Sequence, residues 1–267
     1  MSEIDDLMGD CIEAARRGGA VLRAAFGGQR SIRYKGGIDL VTDADHASEA
    51  TVLEFLRARH PDAAILAEES GASGGRPGGL RFIVDPLDGT TNYAHGLPHF
   101  AVNVAAQDGT GIAAGATYDP MRDELFVAGR GRGATLNGQP IRVSGGDELR
   151  RALLCTGFPY DVHEHPDPPL RLFAAYLRRA RAVRRMGSAA LDLAYVACGR
   201  FDGFWELKLK AWDLAPGILL VREGGGAACD FTGGEGMLER GEICAGNRRI
   251  HAQLMEVLAA TVAGAAP

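Results

Sequence analysis

The chain is most constrained by a short run in which two carboxylates, a proline, a glycine and two hydroxyls follow a β-forming stretch. Arg81-Phe82-Ile83-Val84 is typical of a buried strand, and it is followed by Asp85-Pro86-Leu87-Asp88-Gly89-Thr90-Thr91-Asn92-Tyr93. Proline cannot donate a ladder hydrogen bond, so we expect the strand to end at Asp85. The segment after Asp88 predicts a helix start, whose free backbone N–H groups attract an anion. The run therefore predicts a metal ligand set beside a phosphate site.

Taken alone, such a run is more often a tight turn whose carboxylates cap their own backbone. Two further acidic segments strengthen the metal interpretation. A second short apolar strand, at 64–67, ends at Glu68, and Ala211-Trp212-Asp213-Leu214-Ala215-Pro216-Gly217 presents another acid at an element end. Hard oxygen ligands of this kind, with no nearby cluster of Cys or His, favour Mg²⁺ over zinc.

These motifs resemble those of the inositol monophosphatase family, the Mg²⁺-dependent, lithium-sensitive phosphatases of small phosphate esters. The family motif Asp-Pro-Leu/Ile-Asp-Gly-Thr/Ser-Thr-Asn-aromatic is matched at 85–93, and Trp-Asp-x-Ala-x-Gly is matched at 212–217. The segment at 184–197 is similar to the bacterial branch in particular. Since the resemblance runs from 39 to 226, it covers most of the chain.

The resemblance implies a water-positioning pair, a set of metal ligands and a substrate pocket. Glu68 and Thr90 match residues that position and activate the attacking water, and Asp88 completes the catalytic set. Glu206 lies seven residues before Asp213, the spacing of the family glutamate that binds a ring hydroxyl. The implied metal ligands are Glu68, Asp85, the backbone carbonyl of Leu87, Asp88 and Asp213. The implied substrate-binding residues are Gly89, Thr90, Gly187, Ser188, Ala189, Glu206 and Asp213.

Some of these residues have simpler interpretations. Without the resemblance, Glu206 is better explained as an exposed carboxylate at a strand end, and Ser188 as a helix N-cap. Lys35 lies in a segment that resembles the mobile loop of the family, and it stays outside the catalytic set. Asp39 and Asp45 are interpreted as support for that loop.

The resemblance implies a phosphatase, with about two or three Mg²⁺ ions, that hydrolyses inositol-1-phosphate or a similar small monoester by attack of a metal-activated water. The four acidic side chains carry four formal negative charges, which two Mg²⁺ ions would cancel. Alternative substrates are histidinol phosphate, fructose-1,6-bisphosphate and a 3′-phosphoadenosine nucleotide. A different class of function is a chiefly regulatory protein that binds RNA or a transcription complex on the same fold, as a bacterial relative does.

Composition and net charge indicate the domain organisation, the binding partners and the cellular compartment of the chain. The chain has 267 residues, 46% of them hydrophobic, and we expect one domain over 1–267, with the main metal motif in an N-terminal half of about 1–145 and the Trp-Asp motif in a C-terminal half of about 146–267. A net charge of −5 argues against a general nucleic-acid surface. Five scattered cysteines, an acidic start and no apolar run of about 20 residues predict a reduced cytoplasmic protein with no membrane partner. Family resemblance implies a homodimer.

The predicted elements alternate between helix and strand, which implies layers. The resemblance makes the fold class α/β (α+β), an αβαβα sandwich with the metal site between its halves. The glycine-rich segment at 71–79 is predicted to be a flexible connector. The basic run at 178–185 is predicted to be a solvated face, and the histidines at 99, 163 and 165 are predicted to lie on the surface. One helix is expected near 166–182, and the others are expected to begin at about 4, after Asp43 or Asp45, at Ser188, after Asp213 and at about 248. The expected strands lie at 64–67, 81–85, 152–156, 202–206 and 242–245, with a further β-rich block through 102–126. A hairpin turn is expected at 136–140.

Overall fold

The structure, a computed structural model, describes residues 3–28, 32–34, 40–76 and 78–263, and in these residues helices and strands alternate. The helices are α1 (Glu3–Ala25), α2 (Asp43–Arg59), α3 (Thr90–Ala94), α4 (Pro169–Leu177), α5 (Ala189–Ala197), α6 (Ala211–Glu223), α7 (Met237–Arg240) and α8 (Arg248–Ala263). The strands are β1 (Ile32–Tyr34), β2 (Leu40–Thr42), β3 (Ala64–Ala67), β4 (Gly71–Ser73), β5 (Arg81–Asp88), β6 (Ala101–Asp108), β7 (Gly111–Asp119), β8 (Glu124–Gly129), β9 (Gly133–Leu136), β10 (Gln139–Pro140), β11 (Leu153–Thr156), β12 (Ala182–Arg184), β13 (Gly203–Glu206), β14 (Ala227–Cys229) and β15 (Ile243–Gly246).

Two large sheets organise the described part of the chain. The first has the strand order β10-β9-β8-β7-β6-β5-β3-β4 and is antiparallel except for the parallel pair β3 and β5. The second has the order β12-β11-β13-β15-β14, in which β11 runs parallel to both of its neighbours. A small antiparallel ladder joins β1 to β2.

Helices cover these sheets in three layers. Helices α1 and α2 pack on one face of the eight-stranded sheet, α5 and α6 lie between the two sheets, and α4 and α8 cover the five-stranded sheet. Each interface is apolar; for example, the ring of Tyr176 in α4 stacks with its centroid 4.2 Å from that of Trp205 in β13. The predicted αβαβα sandwich is confirmed.

Helix α1 shows how a sequence pattern places a layer. Leu7, Cys11 and Ala15 recur on one stripe and are buried against the first sheet, while Met8 and Ile12 pack partly against the same core. The predicted amphipathic scaffold helix is therefore correct. Within the described residues, no helix combines the length and the apolar character that a membrane crossing requires.

Several predicted boundaries were wrong. Strand β5 does not end at Asp85 but continues to Asp88, because the pairing with β6 shifts register between Asp85 and Asp88, so the missing N–H of Pro86 falls at a bulge. Part of the supposed flexible connector forms β4, which pairs with β3. Helix α6 begins before Asp213, not after it.

The predicted helix at 166–182 is also too long. Helix α4 ends at Leu177, and the residues at 182–184 form the edge strand β12, parallel to β11. In contrast, Asn137 and Gly138, both with positive φ, form the predicted hairpin turn between β9 and β10.

Candidate active site

Four acidic residues from three segments of the chain meet at the edge of the first sheet: Glu68 directly after β3, Asp85 and Asp88 in β5, and Asp213 in α6. The parallel register of β3 and β5 pairs Ala67 with Val84, so Glu68 and Asp85, which follow these residues, become neighbours and share a hydrogen bond. Carboxylate oxygens of Asp85, Asp88 and Asp213 lie within 4.8 Å of one another. The structure thus brings together the four acids that the resemblance implied.

Asp213 reaches this cluster because α6 starts beside β6. Its carboxylate accepts a hydrogen bond from the backbone N–H of Lys210 at 2.6 Å and so caps the helix. The side-chain amide of Asn103 in β6 donates to the backbone carbonyls of Trp212 and Asp213, at 3.0 and 3.3 Å. The Thr117 hydroxyl in turn donates to Oδ1 of Asn103 at 2.6 Å. This buried polar chain fixes the helix start against the sheet.

Burial and crowding perturb the cluster electrostatically. Burial raises the pKa of Asp85 well above its ordinary value, and the nearby charges of Glu68, Asp88 and Asp213 raise it further. Burial also raises the pKa of Asp88 to about 6 and that of Asp213 to about 7. Carboxylates held this close either share protons or bind a cation that offsets their charge. Together with the backbone carbonyl of Leu87, a residue that lines the same cavity, they form a hard oxygen set that fits a divalent cation such as Mg²⁺.

Thr90, at the start of α3, lies between this cluster and α2. Its Oγ1 is 3.0 Å from the carbonyl oxygen of Leu87 and 3.3 Å from Oδ1 of Asp45. A hydroxyl has one proton and two lone pairs, so Thr90 can donate here and still accept a hydrogen bond from a water. Asp45 itself caps α2 through the backbone N–H of Thr42, at 2.8 Å. Lys35 and Asp39 lie outside the described residues.

The segment at 187–189 approaches Asp88 from the second half of the chain. The Ser188 hydroxyl donates to Oδ2 of Asp88, the backbone N–H of Ala190 donates to the same oxygen at 2.9 Å, and the Ser188 oxygen also accepts the N–H of Leu191. Ser188 is therefore a helix N-cap, and it contacts the acidic cluster as well. The amide of Asn92 lies within hydrogen-bonding distance of the carbonyls of Met186 and Gly187, at 2.9 and 3.2 Å, and so ties the two motifs together.

Gly89 occupies the turn between β5 and α3 with φ of 93°. A side chain there would be strained, and its Cβ would lie 3.1 Å from the carbonyl oxygen of His99 and 3.2 Å from that of Gly187. Only glycine lets the loop, the helix start and the 187–189 segment meet so closely. Gly89, Gly187, Ser188 and Ala189 line one cavity of about 130 Å³ together with Asp88.

Glu206 is buried, not the exposed strand-end carboxylate of the simpler interpretation. It ends β13 and faces both this cavity and an adjoining one of about 290 Å³ that Glu68, Asp85 and Asp213 line. Burial raises its pKa to about 8, and the charges of Asp213 and Asp88 add to the shift. Gly157 makes room for it, because a Cβ at Gly157 would overlap the Glu206 carboxylate.

Three residues were missed or misplaced by the sequence analysis. Asp192 is fully buried in α5, lines the 130 Å³ cavity, and its Oδ1 has no hydrogen-bond partner among the described residues. A single charged residue in an otherwise apolar helix was the available signal. Arg185, from the basic run, lines the same cavity. His99 is not a surface residue: it is buried, and desolvation lowers its pKa to about 4.

Comparison with known proteins confirms the resemblance. The model of the inositol monophosphatase family matches residues 5–264. A Pseudomonas aeruginosa protein named Nus factor SuhB is 45% identical over 232 residues, which cover 85% of this chain and 86% of that protein. The crystal structure of the extragenic suppressor protein suhB from Bartonella henselae has a TM-score of 0.90 and 41% identity, covering 95% of this chain and 98% of its own.

The inositol monophosphatase of Anabaena (Nostoc) sp. PCC 7120 is similarly close, with a TM-score of 0.89, 41% identity and coverage of 97% of both chains. Since the family model and these relatives match nearly the whole length, this chain belongs to the inositol monophosphatase family and is a phosphoric monoester hydrolase of a metal-dependent kind.

Proposed function

We propose that this phosphatase is Mg²⁺-dependent and that its substrate is inositol-1-phosphate or a closely similar polyol phosphate, hydrolysed by direct attack of water. The observation that carries the proposal is the position of Glu206. Its buried carboxylate borders the same cavities as the acidic cluster, so one small molecule can present a phosphate to the cluster and a hydroxyl to Glu206.

The metal ligands in this proposal are Glu68, Asp85, the carbonyl of Leu87, Asp88 and Asp213. Bound divalent cations lower the pKa of water and offset the charge of the phosphate and the leaving alkoxide. The protein residues position the metal-binding carboxylates. Ser188 and the backbone N–H of Ala190 fix the Asp88 carboxylate, and the Lys210 N–H fixes that of Asp213.

The remaining site residues orient the reactants. Glu68 and the free lone pairs of Thr90 hold the attacking water, and the backbone N–H groups of Gly89 and Thr90 face the phosphate. Gly187, Ser188 and Ala189 form the wall beside it, and a Cβ at Gly187 would lie 3.1 Å from Nδ2 of Asn92. Glu206 and Asp213 accept hydrogen bonds from substrate hydroxyls.

A substrate panel tests the proposal. We expect Mg²⁺-dependent phosphate release with the highest kcat/KM on inositol-1-phosphate, when it is compared with fructose-1,6-bisphosphate, histidinol phosphate and 3′-phosphoadenosine 5′-phosphate. A preference for one of the other esters would keep the chemistry and change the substrate. Equal rates with and without Mg²⁺ would contradict the metal assignment.

Substituting Glu206→Gln tests the substrate contact alone. At pH 9, above the pKa of about 8 that burial gives Glu206, its carboxylate is charged, and a hydrogen bond to a charged group contributes about 1.5–3 kcal/mol, so we expect kcat/KM on inositol-1-phosphate to fall about 10–150-fold at that pH. The matched comparison is 4-nitrophenyl phosphate, which has no ring hydroxyl for Glu206 to bind and whose hydrolysis should change little. Equal losses on both esters would show that Glu206 supports the site as a whole instead of recognising the polyol.

A second function is favoured by a specific surface. Arg178, Arg179, Arg181 and Arg184 are exposed on one short stretch, and relatives of this chain are named Nus factors. We propose that this surface contacts RNA or a transcription complex. Rescue of a deletion strain by the Asp88→Asn protein, but not by a protein with these arginines changed to glutamine, would favour binding; the reverse pattern would favour catalysis as the essential role.

We also propose that the chain acts in the cytoplasm as a lithium-sensitive homodimer, and that residues 1–267 form one domain. The support is the family resemblance together with five free cysteines. Inhibition by LiCl in the phosphate-release assay and a dimer mass by light scattering are the expected results.

A further inference from the structure

A cluster of soft ligand atoms lies between β14 and α8, apart from the acidic site. Sγ of Cys229 is 3.2 Å from Nε2 of His251 and 3.5 Å from Sδ of Met255. Cys229 ends β14, and His251 and Met255 are four residues apart on α8, so they point from the same helix face toward the thiol. None of the three lines the cavities around Asp88 and Glu206.

The surroundings keep the thiol and the imidazole neutral. Cys229 is 7% exposed, and burial raises its pKa to about 11, while the nearby charges of Asp230 and Glu235 add to the shift. Desolvation lowers the pKa of His251, so its ring is the neutral form that binds metals. The ring also hydrogen-bonds the backbone of Cys244, and since Nε2 faces Cys229, Nδ1 is the nitrogen left for that bond.

A thiol–imidazole hydrogen bond alone would explain only part of this arrangement. The thiol has a single proton, so it cannot donate to His251 and Met255 at once. Around an ion with bonds of about 2.0–2.3 Å, three ligand atoms in a trigonal arrangement lie about 3.5–4 Å apart. The two separations that involve the thiol, 3.2 Å from Sγ to Nε2 and 3.5 Å from Sγ to Sδ, each lie within a few tenths of an ångström of that range.

We propose that Cys229, His251 and Met255 form a binding site for a soft monovalent cation, Cu⁺ or Ag⁺. On binding, the Cys229 thiol releases its proton to solvent and Sγ bonds the ion, while Nε2 and the thioether sulfur each donate a lone pair; no oxidation state changes. Thiolate and thioether together select Cu⁺. Zinc is a poorer occupant, because it does not use thioether ligands and prefers four donors.

Cu⁺ titration of the full chain, with excess Mg²⁺ and without oxygen, tests the site against the chelator bicinchoninate. We expect one Cu⁺ ion to bind tightly per chain. This binding should be lost in Cys229→Ser, and its affinity should fall about 10–100-fold in Met255→Leu, a substitution that conserves side-chain volume. Cys198→Ser is the matched control, because Cys198 is also a free thiol, and the described hydrogen bonds of its Sγ are to backbone groups of Tyr195 and Arg200 and not to other soft ligand atoms. It should bind as the unchanged protein does.

Thermal unfolding gives an independent readout. Because the bound ion would join β14 to α8, Ag⁺ should raise the Tm of the unchanged chain and of Cys198→Ser, but raise that of Met255→Leu less. Phosphate release by Met255→Leu should remain normal, which shows that the variant is folded. Equal Cu⁺ affinity in Met255→Leu and the unchanged protein, or loss of binding in Cys198→Ser, would overturn the proposal.

Discussion

Replacing Asp213 with asparagine is expected to lower kcat for Mg²⁺-dependent phosphate release by about 10³-fold or more, which corresponds to about 4 kcal/mol of lost transition-state stabilisation. The amide has the same shape and can still accept the Lys210 N–H, so the cap of α6 is retained. What it loses is the negative charge that, with Asp85 and Asp88, is positioned to hold the cations. The change therefore separates chemistry from folding.

The same variant, although less active, should be at least as stable as the unchanged protein when no metal is bound. Without metal, the cluster holds several buried carboxylates that repel one another, and removing one charge relieves that repulsion. We expect the metal-free Tm of Asp213→Asn to equal or exceed that of the unchanged protein, while the rise in Tm on adding Mg²⁺ becomes smaller.

The control for this prediction is Asp108→Asn. Asp108 lies at the end of β6, where it pairs with Arg130 on the surface, and it is outside the acidic cluster. Its loss should leave kcat unchanged. Near-normal turnover in Asp213→Asn would remove Asp213 from the metal set, and equal losses in both variants would point to general damage to the fold.

Local patterns predicted the acidic part of the site well, for a physical reason. Glu68 follows β3, Asp85 follows the apolar run at 81–84 within β5, and the parallel pairing of Ala67 with Val84 makes the two acids neighbours. The sequence therefore indicated both which acidic residues belong to the site and that they lie close together. Asp213 was a candidate as an acid at the end of an element, but its place in the same cluster needed the family resemblance, because its approach depends on contacts between α6 and β6 that no local pattern specifies.

The failures come from contacts between distant segments. Pro86 does end a regular ladder, yet β5 continues past it because the bulge opposite β6 needs no donor there. The burial of Glu206 depends on Gly157, a residue far away in sequence, and that of Asp192 depends on the packing of α5 between two sheets. Side chains buried by such distant partners cannot be told from exposed ones by periodicity alone.

The last residue of the Trp-Asp motif illustrates the same point and carries the second large prediction. Gly217, in α6, faces Leu193 of α5 within the helical layer between the sheets. A Cβ at Gly217 would lie 2.5 Å from Cδ1 and 2.6 Å from Cβ of Leu193, closer than packed atoms approach. The motif glycine is thus required by helix packing, and it does not line either of the two cavities that Glu206 faces.

Gly217→Leu should therefore lower the free energy of unfolding by about 3 kcal/mol, and Tm by about 6–12 °C, because neither sheet leaves room for the two helices to separate. Gly9→Leu is the matched control: Gly9 is exposed on α1, and no atom lies within 4 Å of the point that a Cβ would occupy there, so the same substitution should cost almost nothing. The double variant Gly217→Leu with Leu193→Ala removes the clashing partner, and it should be more stable than the sum of the two single changes predicts. Strict additivity would mean that the cost arises elsewhere than at the α5–α6 contact.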